Sequence, residues 1–192
     1  MKIQILCDLD GVLADFCSSS QQIHDKEAKP PTKWDYFKDW GIDNSQFFEK
    51  IHKDHDFWRN LNPYPWKSKL IEEIEKYDPN YKILTSPSKH FSSWGGKYDW
   101  IKEHLGIEDP DRIIMTADKK LLASPGRILI DDNDRNISRW VSAGGIGILF
   151  PQLYNDNMVI VGDRYEFVCK QLKIIQKQWA FYSNPIIERM FG

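Results

Sequence analysis

The chain has 192 residues, 41% of them hydrophobic and 14% aromatic, enough for one domain with a substantial core and too apolar for disorder. A net charge of −2 and a pI near 6.2 leave no electrostatic footprint for duplex nucleic acid or an anionic membrane. Three scattered cysteines, Cys7, Cys17 and Cys169, argue against a disulfide scaffold or zinc cluster. No apolar run approaches the ~20 residues of a membrane span, and the N-terminus runs straight into a strand with no room for a signal peptide, so a cytoplasmic protein is expected.

The first apolar run, Ile3–Cys7, reads as a buried strand and ends in Asp8-Leu9-Asp10-Gly11. Two carboxylates one residue apart repel each other unless something positive sits between them. Gly11 lets the chain turn sharply after Asp10, and Asp15 is placed to cap a following helix. Residues 17–67 then break the rhythm of the chain. They hold ten aromatics and an irregular "KPPTKWDYFKDWG", then "DNSQFFEKIHK", where Asp43 and Gln46 have capping-box spacing. This stretch is expected to be a small helical cap inserted after the first strand, with residues 1–16 and 68–192 forming the core domain.

Strands and helices alternate from there. A helix over Lys69–Tyr77 leads to a strand at Tyr81–Leu84, which ends in Thr85 and Ser86 with Lys89 close behind. A helix over Lys97–Leu105 leads to a strand at Arg112–Met115 followed by Lys119. The strand Arg127–Ile130 ends in Asp131, Asp132 and, two residues on, Asp134, the last of which is equally explained as a helix cap. A helix over Asn136–Ala143 closes on Gly144-Gly145, a fifth strand spans Ile146–Phe150, and a long amphipathic helix covers Tyr165–Phe181. Short buried strands alternating with helices predict an α/β, Rossmann-like parallel sheet of about five strands with helices on both faces.

Functional groups in such a sheet collect where strands end. Taken singly, D-x-D-G is a common turn, T-S-P a helix start, Lys119 a surface lysine and D-D-N-D a solvated loop. Together they deliver acids, hydroxyls, a lysine and more acids to one edge, in an order suited to a hard divalent cation such as Mg²⁺.

This ordered set resembles the haloacid dehalogenase superfamily. "DLDGVLADF" with "ILTSPSK", "TADK" and "LIDD", together with "FWRNLNPYP" and "KYDWIKEHLG", resembles its 5'(3')-deoxyribonucleotidase family. The resemblance implies Mg²⁺-dependent hydrolysis of deoxynucleoside monophosphates through an aspartyl-phosphate. Asp8 is then the nucleophile and Asp10 the acid and base, with Thr85 and Lys119 acting on the transferring phosphoryl group. The implied metal ligands are Asp8, the backbone carbonyl of Asp10 and Asp132, with Asp131 behind orienting them. Ser86 assists at the phosphoryl group, Lys89 reaches the substrate phosphate, and Phe16, Trp34 and Trp58 surround base and sugar. Packing of the cap's own core competes as an account of its aromatics.

A second reading keeps the fold and takes nucleic-acid 3'-phosphate ends or a small phosphometabolite as substrate. The mixed charge of the cap, Lys26, Lys29, Lys33 and Lys38 against Asp25, Glu27, Asp35 and Asp39, offers no basic track for a polynucleotide. A third reading is a phospho-acceptor or nucleotide-binding domain without turnover. Receiver domains place adjacent acids first and the acceptor later, the reverse of the order here. The expected partner is a small nucleoside monophosphate, not a stably bound nucleic acid or membrane. The aromatic cap and the C-terminal "WAFYSNPIIERMF" are candidate homodimer contacts.

Overall fold

A computed structural model gives the architecture of residues 3–182. Isoleucine and leucine concentrate in five short strands: β1 (Gln4–Cys7), β2 (Lys82–Thr85), β3 (Ile113–Met115), β4 (Arg127–Asp131) and β5 (Ile146–Leu149). The helices are α1 (Phe16–Ile23), α2 (Asn44–Glu49), α3 (His55–Arg59), α4 (Lys67–Tyr77), α5 (Phe91–Leu105), α6 (Asp134–Ser142) and α7 (Arg164–Tyr182). All strand pairs are parallel, in the order β3-β2-β1-β4-β5. The chain therefore builds outward from β1 in both directions, which makes the end of β1 a topological switch point where a ligand crevice forms.

Side chains alternate between the two faces of the sheet. Ile5, Cys7, Ile83, Ile128, Ile130 and Ile148 pack with Leu70 and Ile74 of α4, Trp100 of α5, and Val168 and Leu172 of α7. Leu6, Leu84 and Leu129 pack on the opposite face with Trp140 of α6. Burial of both faces is why the strands read as continuous apolar runs. Register aligns Cys7 with Ile83 on one side and Ile130 on the other, so Asp8, Thr85 and Asp131 emerge at one edge.

Between β1 and α4 the chain runs through α1, a 3-10 turn at Tyr36–Trp40, α2 and α3. Asp15 caps α1 by accepting from Ser18 N at 3.0 Å. Asp43 and Gln46 form a reciprocal capping box on α2, each bond 2.9 Å. Aromatic rings fill this segment: Phe37 stacks on Phe47 with centroids 4.5 Å apart, and His24 stacks on the same ring at 5.2 Å. Buried Phe37, Phe47, Ile51, Trp58 and Leu61 belong to the same apolar cluster as the sheet face beneath.

Apart from the start of α5, element boundaries fall within two residues of the sequence expectation, and two of the differences bear on the site. Helix α5 starts at Phe91, six residues before Lys97, with His90 as its cap. The Gly95-Gly96 pair reads as a breaker but serves packing instead, since a Cβ on Gly96 would meet His55 O at 2.5 Å and Trp58 Cβ at 2.6 Å. Helix α6 is capped by Asn133, with Asp134 the first residue inside, so Asp134 is neither cap nor a member of the acidic cluster. Among the described residues no helix is long and apolar enough to cross a membrane, and Cys7, Cys17 and Cys169 are free and buried. Of the candidate dimer segment Trp179–Phe191, the part from 183 onward lies outside the described residues.

Candidate active site

Asp8 leaves the end of β1 with one oxygen engaged and one free. Its Oδ1 accepts from Leu9 N at 2.8 Å and lies 2.8 Å from Lys119 Nζ, while among the described residues no protein donor bonds Oδ2. Lys119, only 3% exposed, also donates to Asp131 Oδ2 at 2.6 Å. Burial alone would pull the Lys119 ammonium down, but Asp131 and Asp8 outweigh it and hold the group above the ordinary lysine range. Asp131, fully buried, is further held by Asn133 N at 2.9 Å and by Asn136 Nδ2 at 3.1 and 3.3 Å. Burial pushes its carboxyl up to about 6, against the pull of Lys119.

Asp132 accepts a short hydrogen bond at Oδ2 from the Tyr154 hydroxyl, and its backbone carbonyl accepts from Asn155 Nδ2 at 2.8 Å. Burial, Asp131 and Asp8 together raise its carboxyl far above the ordinary range. Oxygens of Asp8, Asp131 and Asp132 all lie within 4.8 Å of one another.

Asp10 stands on a second polar axis. Its Oδ2 is paired with Lys97 Nζ, which also donates to Thr85 Oγ1 at 3.0 Å, and its Oδ1 is buried without a partner. Burial pushes the Asp10 carboxyl up, Lys97 pulls it back in part, and Asp8 pushes it further up. Lys97 is itself wholly buried, its ammonium 5.0 Å from the centroid of the Trp58 ring.

Four carboxylates thus crowd around two ammonium groups. Fully ionised, that set carries an excess of two negative charges in a dry site, and its donors are hard oxygens. Both features fit a divalent cation of the Mg²⁺ kind.

Two cavities adjoin along Asp10, Phe16, Trp34 and Phe48. The smaller, about 330 Å³, contains Asp8 and is walled by Trp58, Ser86, Pro87, Ser88, Asn133 and Asn136. The larger, about 550 Å³, runs under the inserted segment past Gly11, Tyr36, Phe47 and Tyr154. Phe16 opens α1 with its ring 5.6 Å from Trp58 and 5.8 Å from Phe57. Trp34 is 55% exposed and meets Tyr154 edge-on at 5.6 Å. Trp58 is 2% exposed and donates its indole N–H to Ile51 O at 3.1 Å, so it packs the segment as well as lining the smaller cavity. Ser86 lines that cavity while its hydroxyl donates to Thr116 O at 3.1 Å.

Asp8, Asp10, Thr85, Lys119, Asp131 and Asp132 are therefore brought together, and Phe16, Trp34, Trp58 and Ser86 face the same space. Lys89 is not: it is exposed, pairs with no carboxylate among the described residues and lies outside the lining of either cavity. Sequence reasoning missed Lys97, buried in a helix read as an ordinary amphipathic one. It also missed Asn136, Tyr154 and Asn155. The last two lie in "PQLYND", the polar loop that follows β5 at the same sheet edge, which is the signal that marks them.

The profile of the family described as 5' nucleotidase, deoxy (pyrimidine), cytosolic type C protein matches residues 1–166 of this chain. A Homo sapiens protein named 5'(3')-deoxyribonucleotidase, cytosolic type, is 28% identical over 171 residues, covering 82% of this chain and 84% of its own. A Bordetella bronchiseptica protein bearing the 5'(3')-deoxyribonucleotidase name is 31% identical over 137 residues, 67% of this chain and 73% of its own. Among solved structures, a HAD-superfamily hydrolase from Ehrlichia chaffeensis matches in fold with a TM-score of 0.50 at 15% identity, over 90% of this chain and 99% of that one.

Proposed function

The chain belongs to the cytosolic type C deoxy-5'-nucleotidase family, and from that premise we propose that it is an Mg²⁺-dependent phosphatase that removes phosphate from deoxynucleoside monophosphates. The observation that carries this reading is the division of labour between the two aspartates of the β1 loop. Asp8 has one oxygen fixed by Lys119 and one without a donor, whereas Asp10 is buried with a raised pKa. One suits a nucleophile presented to phosphorus and the other a carboxyl displaced toward its protonated form, as a general acid requires.

Asp8 Oδ2 attacks the phosphorus in line. The phosphorus–ester oxygen bond breaks as the new bond forms, and Asp10 passes its proton to the departing nucleoside oxygen. Asp10, now ionised, takes a proton from the water that attacks the phosphorylated Asp8. Phosphate departs and both carboxyls return to their starting states. Lys97 holds Asp10 and Thr85 in one geometry, so that the acid and a hydroxyl for the phosphoryl oxygens approach together. Lys119 offsets charge between Asp8 and Asp131 throughout. Asp8, Asp132 and the backbone carbonyl of Asp10 would hold Mg²⁺, which would supply charge neutralisation on the transferring group. Asp131 is already occupied by Lys119 and Asn136 and so orients its neighbours.

The nucleoside is taken up under the cap of residues 17–67, between Phe16 and Trp34. The three free, buried cysteines fit a reducing compartment, and we assign the protein to the cytosol. The deciding experiment is phosphate release from deoxy- and ribonucleoside monophosphates, sugar phosphates and a 3'-phosphorylated oligonucleotide, with Mg²⁺ or with EDTA. Release strongest on deoxynucleoside monophosphates, abolished by EDTA and by Asp8→Asn, is expected. Preference for another substrate class would discard the account of the cap, and absence of turnover on every substrate would discard the hydrolase.

A further inference from the structure

The catalytic cavity has a second polar end. At one end Asp8 and Asp10 line it, backed by Lys119, Lys97 and Thr85, the groups assigned above to the reacting phosphoryl group. At its rim the loop from β2 to α5 brings Ser88 into the lining, and Ser88 Oγ is buried with no hydrogen-bond partner. His52, itself outside the lining, lies flat on Phe48, a wall of the cavity, with centroids 5.0 Å apart, and its Nδ1 is also buried and unpartnered. Of the five buried side-chain atoms without a partner among the described residues, Ser88 Oγ and Asp10 Oδ1 belong to residues that line this cavity, and His52 Nδ1 belongs to a ring stacked on one of its walls.

The charge around the rim is of one sign. Lys89 follows Ser88 directly, is exposed and, among the described residues, pairs with no carboxylate. His90 uses Nδ1 to cap α5 and keeps Nε2 as a donor. Burial first, then the neighbouring Lys89 and His90, hold the His52 ring below the ordinary histidine range. An unpartnered hydroxyl and an unpartnered imidazole nitrogen, beside a lysine and the Nε2–H of His90, suit an anion with several acceptor oxygens.

We infer that this rim, Ser88, His52, Lys89 and His90, binds a second phosphate group carried by the substrate on its other sugar hydroxyl. The preferred substrate is then a deoxynucleoside bisphosphate, or a nucleotide whose second phosphate is a diester. The inference rests on the nucleotidase reading for the reacting phosphate, and gives Lys89 a different phosphate from the one the sequence assigned to it.

The test compares kcat/KM for thymidine 5'-monophosphate, thymidine 3',5'-bisphosphate and a 5'-phosphorylated thymidine dinucleotide, in the wild type, Lys89→Ala and His52→Gln. The expected result is a preference of about tenfold for the bisphosphate, the size of one charge-assisted contact, falling toward unity in both variants. The same preference for the dinucleotide alone supports the rim with a diester as its ligand. Equal kcat/KM for all three substrates in the wild type overturns the inference. So does a Lys89→Ala variant that slows all three alike, since Lys89 would then serve the reacting phosphate. Failure to hydrolyse even the monophosphate counts against the nucleotidase reading, and calorimetric binding of bisphosphate against monophosphate to Asp8→Asn then decides the rim independently.

Discussion

Gly11 is the tightest point of the site. Its φ is +78°, and an added Cβ would fall 1.9 Å from Asp132 Oδ2 and 2.7 Å from the Tyr154 hydroxyl. Gly11→Ala must therefore displace the Asp132–Tyr154 pair as well as strain the backbone, and we expect a lower Tm and loss of Mg²⁺ binding in a calorimetric titration. Tyr154→Phe is gentler, because it deletes only the donor to Asp132 Oδ2. Mg²⁺ should bind ~10–100-fold more weakly, as for other groups that orient a metal-ligating carboxylate. Saturating Mg²⁺ should restore kcat; a fall in kcat with unchanged metal affinity would give Tyr154 another role. Lys97→Met removes the cation that pulls Asp10 back toward its ordinary pKa. The basic limb of the pH–rate profile should move to higher pH, while kcat/KM falls by ~10²-fold as Asp10 and Thr85 lose their shared donor.

At the scale of elements, the inserted segment is pinned to the sheet edge by Asp15. Its side chain takes Ser18 N at 3.0 Å, Ser18 Oγ at 2.7 Å and the Tyr64 hydroxyl at 3.2 Å, while its own N–H donates to Asn62 O at 2.8 Å. Asp15→Ala should cost ~1–2 kcal/mol in urea unfolding, toward the upper end for a lost N-cap because Tyr64 is orphaned too. KM should rise with it through Phe16, the next residue. These short elements show what a sequence discloses. Strand ends were legible because a buried parallel strand is a continuous apolar run and the polar residue after it must sit at the edge, which located Asp8, Thr85 and Asp131. The capping box at Asp43 and Gln46 was legible because its chemistry is local. Lys97 was not: a lysine in a helical pattern reads as solvated until tertiary packing buries it against Trp58 and Asp10. Nor was the true start of α5, because Gly95-Gly96 signals a break unless the neighbouring backbone at His55 is known.

For the whole molecule, the acidic cluster sets a pH dependence. A carboxyl whose pKa is raised by folding contributes stability that is complete below its ordinary value and lost as pH rises through the folded value. For Asp131 that window runs from 3.8 to about 6, and Asp132 and Asp10, both raised, act in the same direction. His52 and His104, held down mainly by burial, oppose this, but both are largely solvent-screened. Metal-free protein should therefore melt at a lower temperature at pH 8 than at pH 5.5, and Mg²⁺ added at pH 8 should recover the difference by mass action. Calorimetric scans with EDTA and with Mg²⁺ check this, and Asp132→Asn should flatten the metal-free slope. A metal-free Tm that climbs steadily with pH would mean the carboxylates are not strained.

The unbroken apolar cluster that joins Phe37, Phe47, Ile51 and Trp58 to the sheet face also bears on how substrate gets in. A jaw that swings needs a seam, and here the place for one is filled with packed side chains. Opening the segment as a rigid body would expose that packing to water on every turnover. Entry and exit are left to the mouth, by rotation of partly exposed rings such as Trp34, so the protein works as a fixed mould whose amides above and below the site exchange with solvent as one unit.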